Sequence, residues 1–163
     1  MNASMNSLPT SLRTANSGFT LIELMVTIAV LAIIVSIAAP NISTQLANQR
    51  VKSTTAILAN ALKEAKIESR ILRQPLTLVY NDNTKVINIQ NIVPNKSATT
   101  IASYKYDAKI SIKSATTSSQ FRPNKTADAT MYNICDNKNA ASPRQIEVNN
   151  IGSIVIKVGG VCT

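Results

Sequence analysis

The chain has 163 residues, room for one domain of ordinary size with an extension. It carries no histidine, only two cysteines and no CxxC spacing, which leaves no basis for a zinc site built on Cys and His. The formal charge is +9, and all but Arg13 of the basic residues and all but Glu23 of the acids follow Pro40, so the surplus belongs to the later part of the chain. Such a balance suits either a polyanionic partner or a plain solvated basic surface. Ser, Thr, Asn, Lys and Ile abound there and Trp is absent, a composition suited to strands with polar loops.

Residues 1–18 are polar with Arg13 as their one charge, and residues 19–39 are apolar with Glu23 as theirs. About 20 apolar residues span a bilayer as a helix. A positive residue before the span places that end in the cytoplasm and the rest of the chain outside. A secretory signal offers an alternative, with Ser36-Ile37-Ala38 as a small-x-small cleavage site, but its apolar core is normally only about 7–15 residues long. Neither that alternative nor a plain anchor accounts for Glu23, because a charge at the bilayer centre costs roughly 2.5–3.5 kcal/mol on insertion scales.

The run "GFTLIELMVTIAVLAIIVSIAAP" closely resembles the type IV prepilin signature, shared by type IV pilins and the pseudopilins of type II secretion. The resemblance implies that a prepilin peptidase cuts between Gly18 and Phe19, that Phe19 is then N-methylated, and that Pro40 takes the place of a helix-kinking proline. It also implies that Glu23 serves assembly. An unpaired carboxylate among packed apolar helices is costly, whereas one paired with a neighbour's new amine is not, so Glu23 would pin the register at which subunits dock.

Beyond Pro40, Val51, Thr55, Leu58, Leu62, Ala65, Ser69 and Leu72 recur at spacings of three and four, one mostly apolar helical stripe. Arg50, Lys52, Lys63, Glu64, Lys66 and Glu68 lie off it. The like-charged pairs Glu64/Glu68 and Lys66/Arg70 give no local support, so packing must hold the helix. Pro75 ends it. A helix over residues 19–72 would be on the order of 80 Å long.

From Pro75 the period becomes two. "LTLVY", the turn "NDNT" and "KVINIQNIV" predict a hairpin. Residues 102–113, "ASYKYDAKISIK", alternate strictly and are either one long half-buried strand or two strands bent near Asp107. "SATTSSQFRPNKTAD" is expected as a loop, "ATMYNIC" as a strand, "DNKNAASPR" as a loop, and "QIEV" and "SIVIKV" as two last strands about "NNIG". The expected fold is α+β, with a long N-terminal helix, half of it transmembrane, packed on an antiparallel β head of about seven strands. The divisions are a cleaved leader over 1–18, an apolar helix over 19–40, its amphipathic half over 41–74 and the head over 75–163. No Walker loop, dinucleotide fingerprint or nucleophile elbow occurs and the acids are scattered, so neither an enzyme nor a cofactor is expected.

An even cysteine count and an export-like N-terminus favour a disulfide between Cys135 and Cys162, against the alternative of two reduced thiols. Such a bond closes a loop of about 28 residues and contributes roughly 3–4 kcal/mol on the chain-entropy model.

A helix followed only by strands, with a last hairpin about a glycine, resembles the FimT/GspH class of minor pilins and pseudopilins. That class implies a subunit at or near a filament tip that primes assembly. Its partners would be other minor pilins, major pilin subunits, the peptidase and, before assembly, the inner membrane, with the head in the periplasm and later at the cell surface. A type IV pilus serving adhesion, twitching and DNA uptake, or a type II secretion pseudopilus, would both fit. Some FimT-like proteins bind DNA through a G-R-x-R motif. Here the matching glycine is Gly152 and the sequence reads "GSIV", without either arginine. Lys105, Lys109, Lys113, Arg122, Lys125, Lys138, Arg144 and Lys157 remain as candidates for sequence-independent phosphate contact. On a continuous strand Lys105, Lys109 and Lys113 would share one face.

Overall fold

The computed structural model describes residues 18–92 and 97–162, with the side chains of residues 38–41 outside the description. Apart from Gly18, the expected leader lies outside the described residues. Helix α1 covers Leu21–Ile71, and the chain divides into two compact units between Ala39 and Pro40.

The first unit contains the apolar start of α1. Thr20 caps it: its Oγ1 accepts the Glu23 N–H at 3.2 Å and its carbonyl accepts the Leu24 N–H at 3.2 Å. Thr20 and Glu23 thus have the spacing of a capping box, and an acid in the first turn also suits the positive end of the helix dipole. Thr27 and Ser36 donate their hydroxyls to the carbonyls of Leu24 and Ile33, which settles these polar groups inside the helix. Every side chain from residue 19 to residue 37 is exposed. Among the described residues no single helix is long and apolar enough to cross a membrane. The segments Leu21–Ile37 and Ile42–Ile71 satisfy length and composition only when taken together.

In the second unit α1 is amphipathic. Val51, Thr55, Leu58, Leu62, Ala65 and Ser69 of the expected stripe are all buried, and Leu72 is exposed because the helix has already ended. Arg73 takes a left-handed conformation with φ 53°, and the Gln74 N–H returns to the Ser69 carbonyl at 3.1 Å. That is the six-to-one bond of a Schellman ending, here formed without glycine, and Pro75 follows it.

Among the described residues eight strands follow, one more than expected: β1 Leu76–Asn81, β2 Val86–Asn91, β3 Thr99–Lys105, β4 Ile110–Ser114, β5 Ser118–Phe121, β6 Thr130–Asp136, β7 Arg144–Val148 and β8 Ile154–Val158. They form two antiparallel sheets, ordered β3-β2-β1-β5 and β4-β6-β7-β8. The hairpin of β1 and β2 is as expected, with Leu78 opposite Ile89. The extra strand β5 lies inside the expected loop of residues 114–128 and pairs with β1, Phe121 opposite Leu76.

One core joins helix and sheets. Leu58 and Leu62 of α1, Leu76 and Leu78 of β1, Ile87 and Ile89 of β2, Ile110 of β4, Phe121 of β5, Tyr132 and Ile134 of β6 and Ile146 of β7 are all buried in it. Tyr132 crosses between the sheets. Its ring packs edge-on to Tyr80 at 5.9 Å, and its hydroxyl bonds the Ser119 hydroxyl at 2.6 Å. Burial pushes the Tyr132 phenol up to about 12.

A polar staple also links the sheets. Asp82, in the β1–β2 turn, accepts the Tyr106 hydroxyl at 2.8 Å and the Ile112 N–H of β4 at 3.0 Å. Lys85 pairs with Asp82 at 3.0 Å and donates to the Ile110 carbonyl at 2.8 Å. Burial opposes the charge on Asp82, but these donors and the Lys85 cation outweigh it and hold its carboxyl below the usual range.

Candidate functional site

The described part of the first unit presents an exposed apolar surface. Phe19 is 79% exposed, and Leu24, Ile28, Leu31, Val35 and Ile37 are all more than half exposed. Burying one such side chain contributes about 1.5–3 kcal/mol. A segment that exposes this much apolar surface therefore has a strong drive toward lipid or toward other helices. Gly18 stands exposed beside it.

Glu23 is the one charge in this segment, and its carboxylate makes no ion pair and no hydrogen bond among the described residues. Its backbone is fixed by Thr20 while its side chain is exposed. The capping-box spacing "TLIE" was legible in the sequence and gives Glu23 a local reason to stand at the third helical position. That local reason accounts for an acid at this position but gives the carboxylate itself no partner among the described residues. The helix assignment continues through Pro40, and the expected kink there falls on side chains outside the described residues.

Cys135 and Cys162 are bonded, with Cα atoms 5.8 Å apart and a sequence separation of 27. Cys135 is buried in β6, and the tail after β8 returns to it. Gly159 and Gly160 have φ of 109° and 133°, and a Cβ on Gly160 would lie 2.8 Å from Asn133 Oδ1. The two glycines therefore let the tail turn back and pass close over β6.

The eight basic candidates do not form one face. Residues 102–113 are not a continuous strand: Lys105 ends β3 in one sheet, Lys113 lies in β4 of the other, and Lys109 sits in the turn between. The alternation continues through a chain reversal because Asp107 accepts the Lys109 N–H at 2.7 Å and pairs with Arg50 at 3.5 Å, while Tyr106 turns into the core. Arg122 is neutralised by Asp128 at 2.8 Å and Lys157 by Glu147 at 2.5 Å. Lys125 and Lys138 stand in turns after β5 and β6. Arg144, at the start of β7, lines a polar cavity of about 560 Å³ with Lys52 and Asn48. In the β7–β8 turn Gly152 has φ +66° and donates to the Asn149 carbonyl at 2.8 Å, a left-handed position that glycine takes without strain, and Ser153 and Val155 follow at the two arginine positions of the motif.

Residues 13–39 match the prokaryotic N-terminal methylation motif. No curated protein matches the chain significantly in sequence. Solved structures do match in fold. The type IV minor pilin FimU of Pseudomonas aeruginosa superimposes with a TM-score of 0.60 at 17% identity, over 71% of this chain and 96% of that one. The minor pseudopilin EpsH from the type 2 secretion system of Vibrio cholerae gives 0.59 at 7% identity, over 69% and 99%. The solution structure of E. coli GspH gives 0.56 at 11% identity, over 69% and 91%. The chain therefore joins an N-terminal methylation motif to the fold of these minor pilins and pseudopilins.

Proposed function

We propose that the chain is a minor pilin-like subunit, held by residues 19–40 in the inner membrane with its head in the periplasm and then built into a filament at or near the tip. The observation that carries this reading is the conjunction of two features. The methylation motif runs into an exposed apolar helix whose one carboxylate has no ion pair among the described residues, and the head of the same chain shares the fold of a minor pilin. A prepilin peptidase would cut at Gly18–Phe19, and the freed, methylated amine of one subunit would face Glu23 of another. Other minor and major pilin subunits are the partners this requires, and no cofactor enters.

A type IV pilus, supporting adhesion, twitching and DNA uptake, is the preferred setting. A type II secretion pseudopilus is the second reading, favoured by the likeness to EpsH and GspH. A deletion strain separates them: loss of surface pili and of transformation supports the first, loss of protein secretion with intact pili supports the second. A strain unchanged in all three contradicts both. Direct DNA capture by the head keeps weaker support, because the basic candidates are dispersed and two of them are paired.

A further inference from the structure

A groove of about 600 Å³ lies in the second unit at the C-terminal end of α1, lined by Lys63, Lys66, Ile67 and Arg70 on the helix and by Ile151 and Ile154 about the β7–β8 turn. Ile67 is 55% and Ile151 72% exposed. Positions 63, 66, 67 and 70 fall on one face of the helix. The turn lies alongside the Lys66 stem: the position a Cβ would take on Gly152 is 3.6 Å from Lys66 Cε, an ordinary van der Waals contact. No carboxylate lines the groove, and none of its three cations makes an ion pair among the described residues. The helix dipole favours a cation in the last turn, which accounts for Arg70. It accounts neither for Lys63, two turns earlier, nor for isoleucines left in water.

We propose that this groove docks an acidic, aliphatic segment of another protein. An apolar floor inside a charged rim is the anatomy of a protein interface. Nucleic acid is the poorer fit, because phosphate contact leaves isoleucines uncovered and the lining holds no aromatic ring for a base to stack on. A second copy of this chain is poorer still. Of the acids in its second unit, Asp82, Asp107, Asp128 and Glu147 are already ion-paired, Glu64 accepts the Tyr104 hydroxyl and Asp136 accepts the N–H groups of Lys138 and Ala140, which leaves only Glu68 among the described residues there, and two copies at +9 repel. The inference concerns the second unit and stands whether or not Glu23 directs assembly.

The test uses the full chain in neutral phosphatidylcholine nanodiscs, with empty discs as the blank. The probe is a fluorescent peptide of alternating Glu and Leu, compared with one of alternating Lys and Leu and with a short DNA duplex. The acidic peptide should bind at least tenfold more tightly than the basic one. Lys63→Gln with Lys66→Gln and Arg70→Gln should weaken it at least tenfold, and Ile67→Ser with Ile151→Ser at least threefold, at unchanged melting temperature. If the triple variant melts early, the single exposed Lys63→Glu change takes its place and should weaken binding severalfold. Absence of binding, or equal binding by wild type and variants, overturns the proposal. So does a duplex that binds more tightly than the peptide with no effect of the isoleucine changes.

Discussion

Leu31 and Leu62 lie on the same helix, yet Leu31 is 58% exposed and Leu62 is 0% exposed. The first part of α1 is apolar all round and the second carries a single apolar stripe. A stripe is what a helix needs to pack on one neighbouring layer. An apolar surface all round requires a surround of lipid or of other helices. Each part is thus written for a different environment, and only the second finds its environment within this chain.

The largest expected difference comes from truncating one leucine in each part. Leu62→Ala should destabilise the head by about 2–5 kcal/mol, because its core cannot fully close over the gap. Leu31→Ala should change head unfolding by less than about 0.5 kcal/mol. Chemical denaturation of the full chain, followed by tyrosine fluorescence, measures both. A comparable loss in the two variants would break the contrast.

Reducing Cys135–Cys162 comes next. It should lower head stability by about 3–4 kcal/mol on the loop-entropy model and leave the first unit's helicity unchanged. Calorimetry with and without reductant reads the shift.

Asp82 gives a smaller effect with a defined pH window. Its folded pKa lies below the unfolded value of about 3.9, so its contribution is present above that value and lost as pH falls through the folded one. Asp82→Asn should cost about 1 kcal/mol near neutrality, after allowance for its partial exposure, and should flatten the acid limb of the stability curve below about pH 4. A limb as steep as the wild type's would mean another carboxylate governs it.

Glu23→Ala should produce the smallest effect on the head, none within error, while sharply reducing recovery of the chain in sheared filaments. Normal incorporation of that variant would remove the register argument for the carboxylate.

The stripe of α1 was legible because six of its seven positions face the core at helical spacing, and the hairpin of β1 and β2 because apolar alternation met a clear turn. Strand β5 was not. Its inward residues are Ser119 and Phe121, and Ser119 is buried only because the Tyr132 hydroxyl satisfies it, a long-range bond that no local pattern announces. The break near Asp107 was one of two open readings, since alternation runs on through the reversal. The basic candidates were legible as residue types but not as a surface. Ion pairing of Arg122 and Lys157 and the division of Lys105 and Lys113 between sheets are tertiary facts. Lys63 and Lys66, which sequence reading takes only as charges off the stripe, and Arg70, read only as a like-charged neighbour of Lys66, gain meaning when the β7–β8 turn is brought beside them.

The claim that the apolar part of α1 is made for a surround outside its own chain, entered after processing at its edge, is tested most directly by the mass of the N-terminal peptide from protein made in its native cell. The account predicts a chain that begins at N-methylated Phe19 and retains residues 19–40. A chain beginning at Ala39, with the apolar segment gone, would contradict it.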